Sequence, residues 1–173
     1  ELRSAEDSGG GVDVVLAGSH EAGARFELAV AAAATVVRHL SEAGRQVTFT
    51  HTGRPARSLG GTHVSWPVVE SFLTTCAPAE GHGTADAVLA ALTRPDPPRL
   101  VVAVTGPRDP AVAGALATAR AAGAGAVVVW VGGSGGGALD AVSAVAEVVR
   151  VSDVASLATR LSDRDGGQVR RVA

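Results

Sequence analysis

The sequence predicts one α/β domain: a doubly wound, mainly parallel sheet of about six strands with helices on both faces and one short antiparallel edge strand. Three observations predict it. Short β-branched runs recur at Val12 to Leu16, Leu100 to Thr105 and Ala126 to Val131, predominantly apolar as a strand buried on both faces requires. Stretches of helical periodicity separate them, and this alternation implies parallel strands joined by right-handed crossovers. A chain of 173 residues with 46% hydrophobic content is the size of one domain with a sizeable core.

The elements follow in order. Residues 1–11, beginning ELRSAEDSGG, are polar and read as an entry segment; the domain proper spans 12–161, and the polar stretch 162–173 reads as a tail. After the first strand, Arg25 to Ala43 places Phe26, Ala29, Val30, Ala33, Val36, Val37 and Leu40 on one helical face, with Gly44 as its stop. Gln46 to His51 alternates as a strand, and the TGRP turn is placed to return the chain through Ala56 to Leu59 as the antiparallel edge. Val64 to Thr75 carries Trp66, Val69, Phe72 and Leu73 at helical spacing, with Pro67 tolerable only in the first turn.

Thr84 is placed to cap a helix running to Thr93. The strand Leu100 to Thr105 is bracketed by the turn-forming PDPPR and GPRDP. Asp109 opens an Ala-rich helix that ends near Gly123, and the strand Ala126 to Val131 follows. Beyond the GGSGGG loop come a short helix from Ala138 to Glu147, a last strand from Val148 to Val151, and a closing helix from Ser152 to Leu161.

Composition excludes some functions. A formal charge of −2 and an isoelectric point near 6.2 provide no global positive field for DNA or RNA. All 15 basic residues are Arg and Tyr is absent, which reflects compositional bias more than selected chemistry. The one cysteine, Cys76, has no internal disulfide partner and reads as a small hydrophobe. Methionine is missing even at position 1, so the chain is read as a piece of a longer protein. No stretch reaches the roughly 18 to 20 apolar residues that cross a bilayer; the Ala-rich run from Leu28 ends in Arg38 and His39.

In doubly wound sheets ligands bind at the carboxyl ends of the strands, near the point where strand order reverses. That rule selects three loops: Ala17 to Gly23, Glu80 to Thr84 and Thr105 to Asp109. These loops are also where the chain resembles a von Willebrand factor A domain, over roughly Val12 to Leu161. The family ends its first strand in Asp-x-Ser-x-Ser, takes a Thr from a later loop and an Asp from the end of the fourth strand, and holds a divalent cation between them. The matching positions are Ala17, Ser19, Glu21, Thr84 and Gly106.

A hard cation needs anionic oxygens to offset its dehydration, and Ala17 and Gly106 supply none, so the resemblance implies a degenerate metal site and no cofactor is expected. Glu21, Asp86 and Asp109 are the carboxylates from which an altered site could be built; the simpler expectation is that they cap helices and face water. More narrowly, the opening EL, VDVVLAGS, FELAVAAAATVVRHLSEAGRQVTF and GHGTADAVLAALTR resemble the domain-of-unknown-function family 58. That resemblance implies a bacterial, envelope-associated parent at the cytoplasmic face of the membrane, working beside a MoxR-type AAA+ ATPase.

Rival chemistry is weaker. GGSGGG contains G-x-S-x-G between a strand and a helix, but a nucleophile elbow expects its acid and histidine later in the chain. The five histidines, at 20, 39, 51, 63 and 82, all precede Ser134. Read as a dinucleotide fingerprint, the same glycines follow a late strand instead of the first. His20 and His82 could converge as zinc ligands or an acid/base pair, although loop histidines more often cap or solvate. His39, His51 and His63 are expected at the surface, and Trp66 and Trp130 in simple packing.

The reading is a non-enzymatic protein-interaction domain whose candidate partner contacts are Ser19, His20, Glu21, His82, Thr84 and Arg108. The alternative is a small-molecule or nucleotide-binding α/β enzyme that uses the GGSGGG loop and the strand-end histidines.

Overall fold

The computed structural model describes residues 11–20, 23–53, 57–61, 65–79, 83–133, 136–153, 155 and 157. The expected tail 162–173 and all but Gly11 of the entry segment lie outside the described residues. The elements are β1 (Val12–Leu16), α1 (Ala24–Glu42), β2 (Val47–His51), β3 (Arg57–Gly61), α2 (Trp66–Thr74), α3 (Gly83–Leu92), β4 (Leu100–Thr105), α4 (Val112–Ala121), β5 (Gly125–Val131), α5 (Gly136–Ser143) and β6 (Glu147–Val151). The strands form one six-stranded sheet in the order β3-β2-β1-β4-β5-β6. All neighbours are parallel except β3, which runs antiparallel to β2 at the edge, as the TGRP turn predicts.

Strand order reverses direction between β1 and β4, the two central strands. β1 is buried at all five positions, and β4 at all but Leu100. Alternate residues therefore feed two separate cores. Val12, Val14 and Leu16 join Val102 and Val104 against Ala29, Ala33, Val36 and Val37 of α1 and Val69 and Leu73 of α2. Val15, Val101 and Ala103 face the other way, against Val88 of α3, Val112, Leu116 and Ala119 of α4, and Leu139 of α5. Trp130, 1% exposed, anchors this second layer and donates its indole N–H to the Gly133 carbonyl at 3.3 Å. Truncating an aromatic so placed costs about 3 to 5 kcal/mol. Trp66 is different: it is 39% exposed and lies under the Arg38 guanidinium, 5.6 Å from ring centroid to carbon.

Several local expectations change. α1 stops as predicted because Gly44 takes φ 72°, a left-handed conformation that glycine adopts without steric cost. Thr84 is not a cap. α3 begins at Gly83, so Thr84 lies within the first turn, 1% exposed. Asp109 does not open α4, which starts at Val112; it accepts a backbone bond from Val112 N–H in the preceding turn. α5 ends at Ser143 rather than Glu147, because Glu147 pairs with Val127 and opens β6. In the expected closing helix, Ala155 and Leu157 are helical, and Leu157 is 1% exposed against the α1-side core.

One buried charge escaped the sequence reading. Asp13, 4% exposed in the middle of an apolar strand, accepts a 2.9 Å bond from the Arg94 guanidinium and a second bond from the Thr48 hydroxyl. Desolvation, the largest effect, outweighs both partners and raises its pKa above the ordinary carboxylate value. Arg94→Leu is expected to cost about 1 to 2 kcal/mol at pH 7, below the usual figure for a broken buried pair because Arg94 is 38% exposed. The loss shrinks as pH falls toward 5 and Asp13 protonates, and Asp13→Asn in the same chain restores stability. Urea unfolding at the two pH values measures both effects.

Candidate functional site

The carboxyl ends of β1 and β4 lie side by side, and three loop segments meet there. Gly18 N–H donates to the Thr52 hydroxyl at 2.9 Å, and its carbonyl accepts from Ala79 N–H at 2.8 Å. Gly83 stands close enough to Thr52 that a Cβ on it would lie 3.1 Å from the Thr52 Cβ. The loops after β1, after β2 and before α3 are thus tied together by backbone and threonine contacts, and Ala17 N–H reaches across to the Val104 carbonyl at 2.9 Å.

The opposite side of this junction is tighter. A Cβ on Gly106 would stand 2.7 Å from the Val131 carbonyl oxygen and 3.4 Å from Cε1 of His20. Only glycine lets β4 leave the sheet this close to the end of β5. His20, expected to cap or meet solvent, is instead 8% exposed. Its ring donates to the Val104 carbonyl, and Nε2 is buried with no hydrogen-bond partner among the described residues. Burial holds its pKa below the ordinary histidine value, against the opposing effect of the Val104 bond, so the ring is neutral near pH 7.

A shallow depression opens beside this ring, lined by Ser19, His20, Arg25, Gly106, Pro107, Arg108 and Val131. It enclosed about 310 Å³ including its open mouth. Of the expected contact residues it brings together Ser19, His20 and Arg108. Ala17, 0% exposed, and Thr84, 1% exposed, lie beneath the surface. Glu21, His82 and Ser134 lie outside the described residues, as does His63. Arg25 was missed by the sequence reading; its signal was its position at the start of the helix that follows the first loop.

Two further expectations are corrected. Asp109 is 2% exposed and does not face water, whereas Asp86, in the first turn of α3, is exposed. His51 is 3% exposed, not at the surface: its side chain shares a sheet face with Val47 and Phe49, and the Phe26 ring meets it edge-on at 6.2 Å. Burial, and secondarily the charge of Arg57, hold its pKa low. Cys76 is half-buried, with its thiol pushed up to about 11 by desolvation, which fits an inert small hydrophobe. Among the described residues, no three His, Cys, Asp or Glu side chains gather as a metal-binding group, and no helix is long and apolar enough to cross a membrane.

No family model matches the sequence, and no curated protein is similar enough in sequence to match it. Solved structures do match in shape. A manganese-loaded TRAP protein of Plasmodium vivax superposes with a TM-score of 0.64 at 11% identity, over 87% of this chain and 71% of its own. A conserved hypothetical protein, BatB, from Bacteroides thetaiotaomicron gives 0.62 at 14% identity, over 92% and 97%. An aerotolerance-related membrane protein from Bacteroides fragilis gives 0.58 at 13% identity, over 90% and 98%. At these identities the likeness concerns the fold, which is a von Willebrand factor A-like α/β sheet with one antiparallel edge.

Two outcomes follow from this geometry. Gly106→Ala is expected to destabilise by about 1 to 3 kcal/mol, because the added methyl meets a backbone oxygen that cannot turn aside; chemical denaturation measures it. Both buried histidines prefer the neutral form when folded, yet titrate normally, near pH 6.5, when unfolded. Their contribution is complete above about pH 6.5 and is lost as pH falls below it. The melting temperature should therefore drop between pH 7 and pH 5, and His51→Asn should flatten that drop.

Proposed function

We propose that this chain is a non-enzymatic protein-interaction domain that binds its partner at the carboxyl edge of the sheet, around the β1–β4 junction, without a divalent cation. The observation that carries this reading is the closed packing at Gly106. The resemblance places a carboxylate ligand there, but a side chain at this position would run into the Val131 carbonyl, and the His20 ring stands immediately beyond. Ala17, the other carboxylate position, is a fully buried methyl. Ser19 and Thr84 leave only neutral hydroxyls, one of them beneath the surface. These four positions supply none of the anionic oxygens that a hard cation needs in near-octahedral array; Glu21, the fifth matching position, lies outside the described residues.

An interaction role is further supported by the shape of the face. Its depression is shallow and open, and its lining mixes the polar Ser19, His20, Arg25 and Arg108 with Gly106, Pro107 and Val131. Enzyme and small-molecule sites more often enclose most of their ligand. The partner proposed first is the MoxR-type AAA+ ATPase implied by the sequence resemblance, met at the cytoplasmic face of a bacterial membrane.

Two measurements test this. In a thermal-shift series with Mg²⁺, Mn²⁺, Ca²⁺, Zn²⁺ and EDTA, no saturable rise in melting temperature is expected; a saturable rise with one cation would overturn the metal-free reading. For the binding face, photo-reactive benzoyl-phenylalanine is placed at Ala111 or at Ala122. These exposed positions flank α4 at the carboxyl and amino edges of the sheet. In cells that make the protein, a discrete protein adduct is expected from position 111 and not from position 122. Adducts from 122 alone, or from neither, would sink the assignment.

A further inference from the structure

We propose that the depression beside the start of α1 receives an acidic side chain of the protein partner, held by the guanidinium groups of Arg25 and Arg108. This deepens the interaction reading above and rests on it. Both arginines are exposed and line the same depression, and no acidic residue lines it among the described residues. Two cationic groups thus share one depression on a chain whose formal net charge is −2. Asp109, next in sequence to Arg108, is buried and is not part of the lining. Glu27, in the first turn of α1, is exposed and is also absent from it.

The remaining lining residues fit the same ligand. Each guanidinium has five N–H donors in a planar fork that matches a carboxylate bidentately, so an arginine already engaged within the fold keeps donors for a second partner. Both arginines have interactions within the fold. Ser19 contributes a hydroxyl at the rim. The first turn of the 19-residue α1 directs the positive end of its dipole toward this loop, a smaller contribution of the same sign. His20 is a neutral wall: packed on Gly106 and tied to Val104, it keeps the floor rigid. A nucleic acid is disfavoured because the two cations mark one small spot, whereas phosphate backbones are tracked by extended basic stripes.

The test uses the intact chain and fluorescence anisotropy with labelled hexaglutamate, against hexaglutamine as the uncharged control. Saturable binding of hexaglutamate alone is expected, weakened by added salt. Arg25→Gln with Arg108→Gln should reduce affinity about 10-fold or more, the scale of a lost charge-assisted hydrogen bond. The matched pair Arg45→Gln with Arg99→Gln, both exposed at the amino edge, should leave it unchanged. Circular dichroism melts confirm that each double variant is folded. Equal binding of both peptides, no hexaglutamate binding at millimolar concentration, or equal losses in the two double variants would overturn the proposal. Cross-linking from position 111 separates the two levels. If the adduct persists undiminished in the Arg25→Gln, Arg108→Gln chain, the acidic-contact inference fails while the interaction reading stands. If no adduct forms even in the otherwise native chain, the interaction reading itself fails.

Discussion

The structure depends on the near-complete burial of two adjacent parallel strands. β1 and β4 present apolar side chains to both faces, so neither face can meet water and each must be covered by helices. From that requirement come the two cores, the crossovers that build them, and the reversal of strand order between β1 and β4. The reversal sends the two following loops apart, to opposite faces of the sheet, and the depression opens between them. Asp13 shows how strict the constraint is: the one carboxylate placed within this pair of strands needs a guanidinium from the α3–β4 connection and a threonine from β2.

The same close packing governs the candidate site. At the carboxyl edge of the sheet this chain draws its backbone segments together. Gly106 lies against the end of β5, Gly18 against Thr52 and Gly53, and Gly83 against Thr52. Beside Gly106 the space a side chain would need is taken by the Val131 carbonyl and the His20 ring. What remains accessible is the outer rim, Ser19, Arg25, Pro107 and Arg108. Burying a histidine with one ring nitrogen lacking a partner carries a free-energy cost. Among the described residues the buried Nε2 atoms of His20 and His51 both lack one, and burial lowers the pKa of both rings, so the packing at this edge is obtained at the expense of stability in acid.

Much of this was legible from the amino acids alone. The β-branched runs gave the strands their places, the helical periodicity of α1 and Gly44 gave its face and its end, and the TGRP turn gave the antiparallel edge, because each is a local pattern with a local physical cause. The same local logic misjudged ends and exposure. Thr84 has the chemistry of a cap, yet the helix reaches back past it to Gly83. Glu147 continues a helical pattern, yet a ladder partner on β5 claims it for a strand. His20, His51 and Asp109 are polar residues in or beside loops, and polarity alone places them in water.

What the sequence by itself determined is the architecture and the absence of carboxylates at positions 17 and 106, since hydrophobic period and residue identity need no neighbour to be read. Which polar groups are buried, and which arginines share a surface, only the tertiary structure decided. Arg25 and Arg108 are 83 positions apart in sequence and meet at one depression because β1 and β4 are neighbours in the sheet. That adjacency arises from long-range strand pairing, whose information is spread over the whole pattern of burial and resides in no single motif.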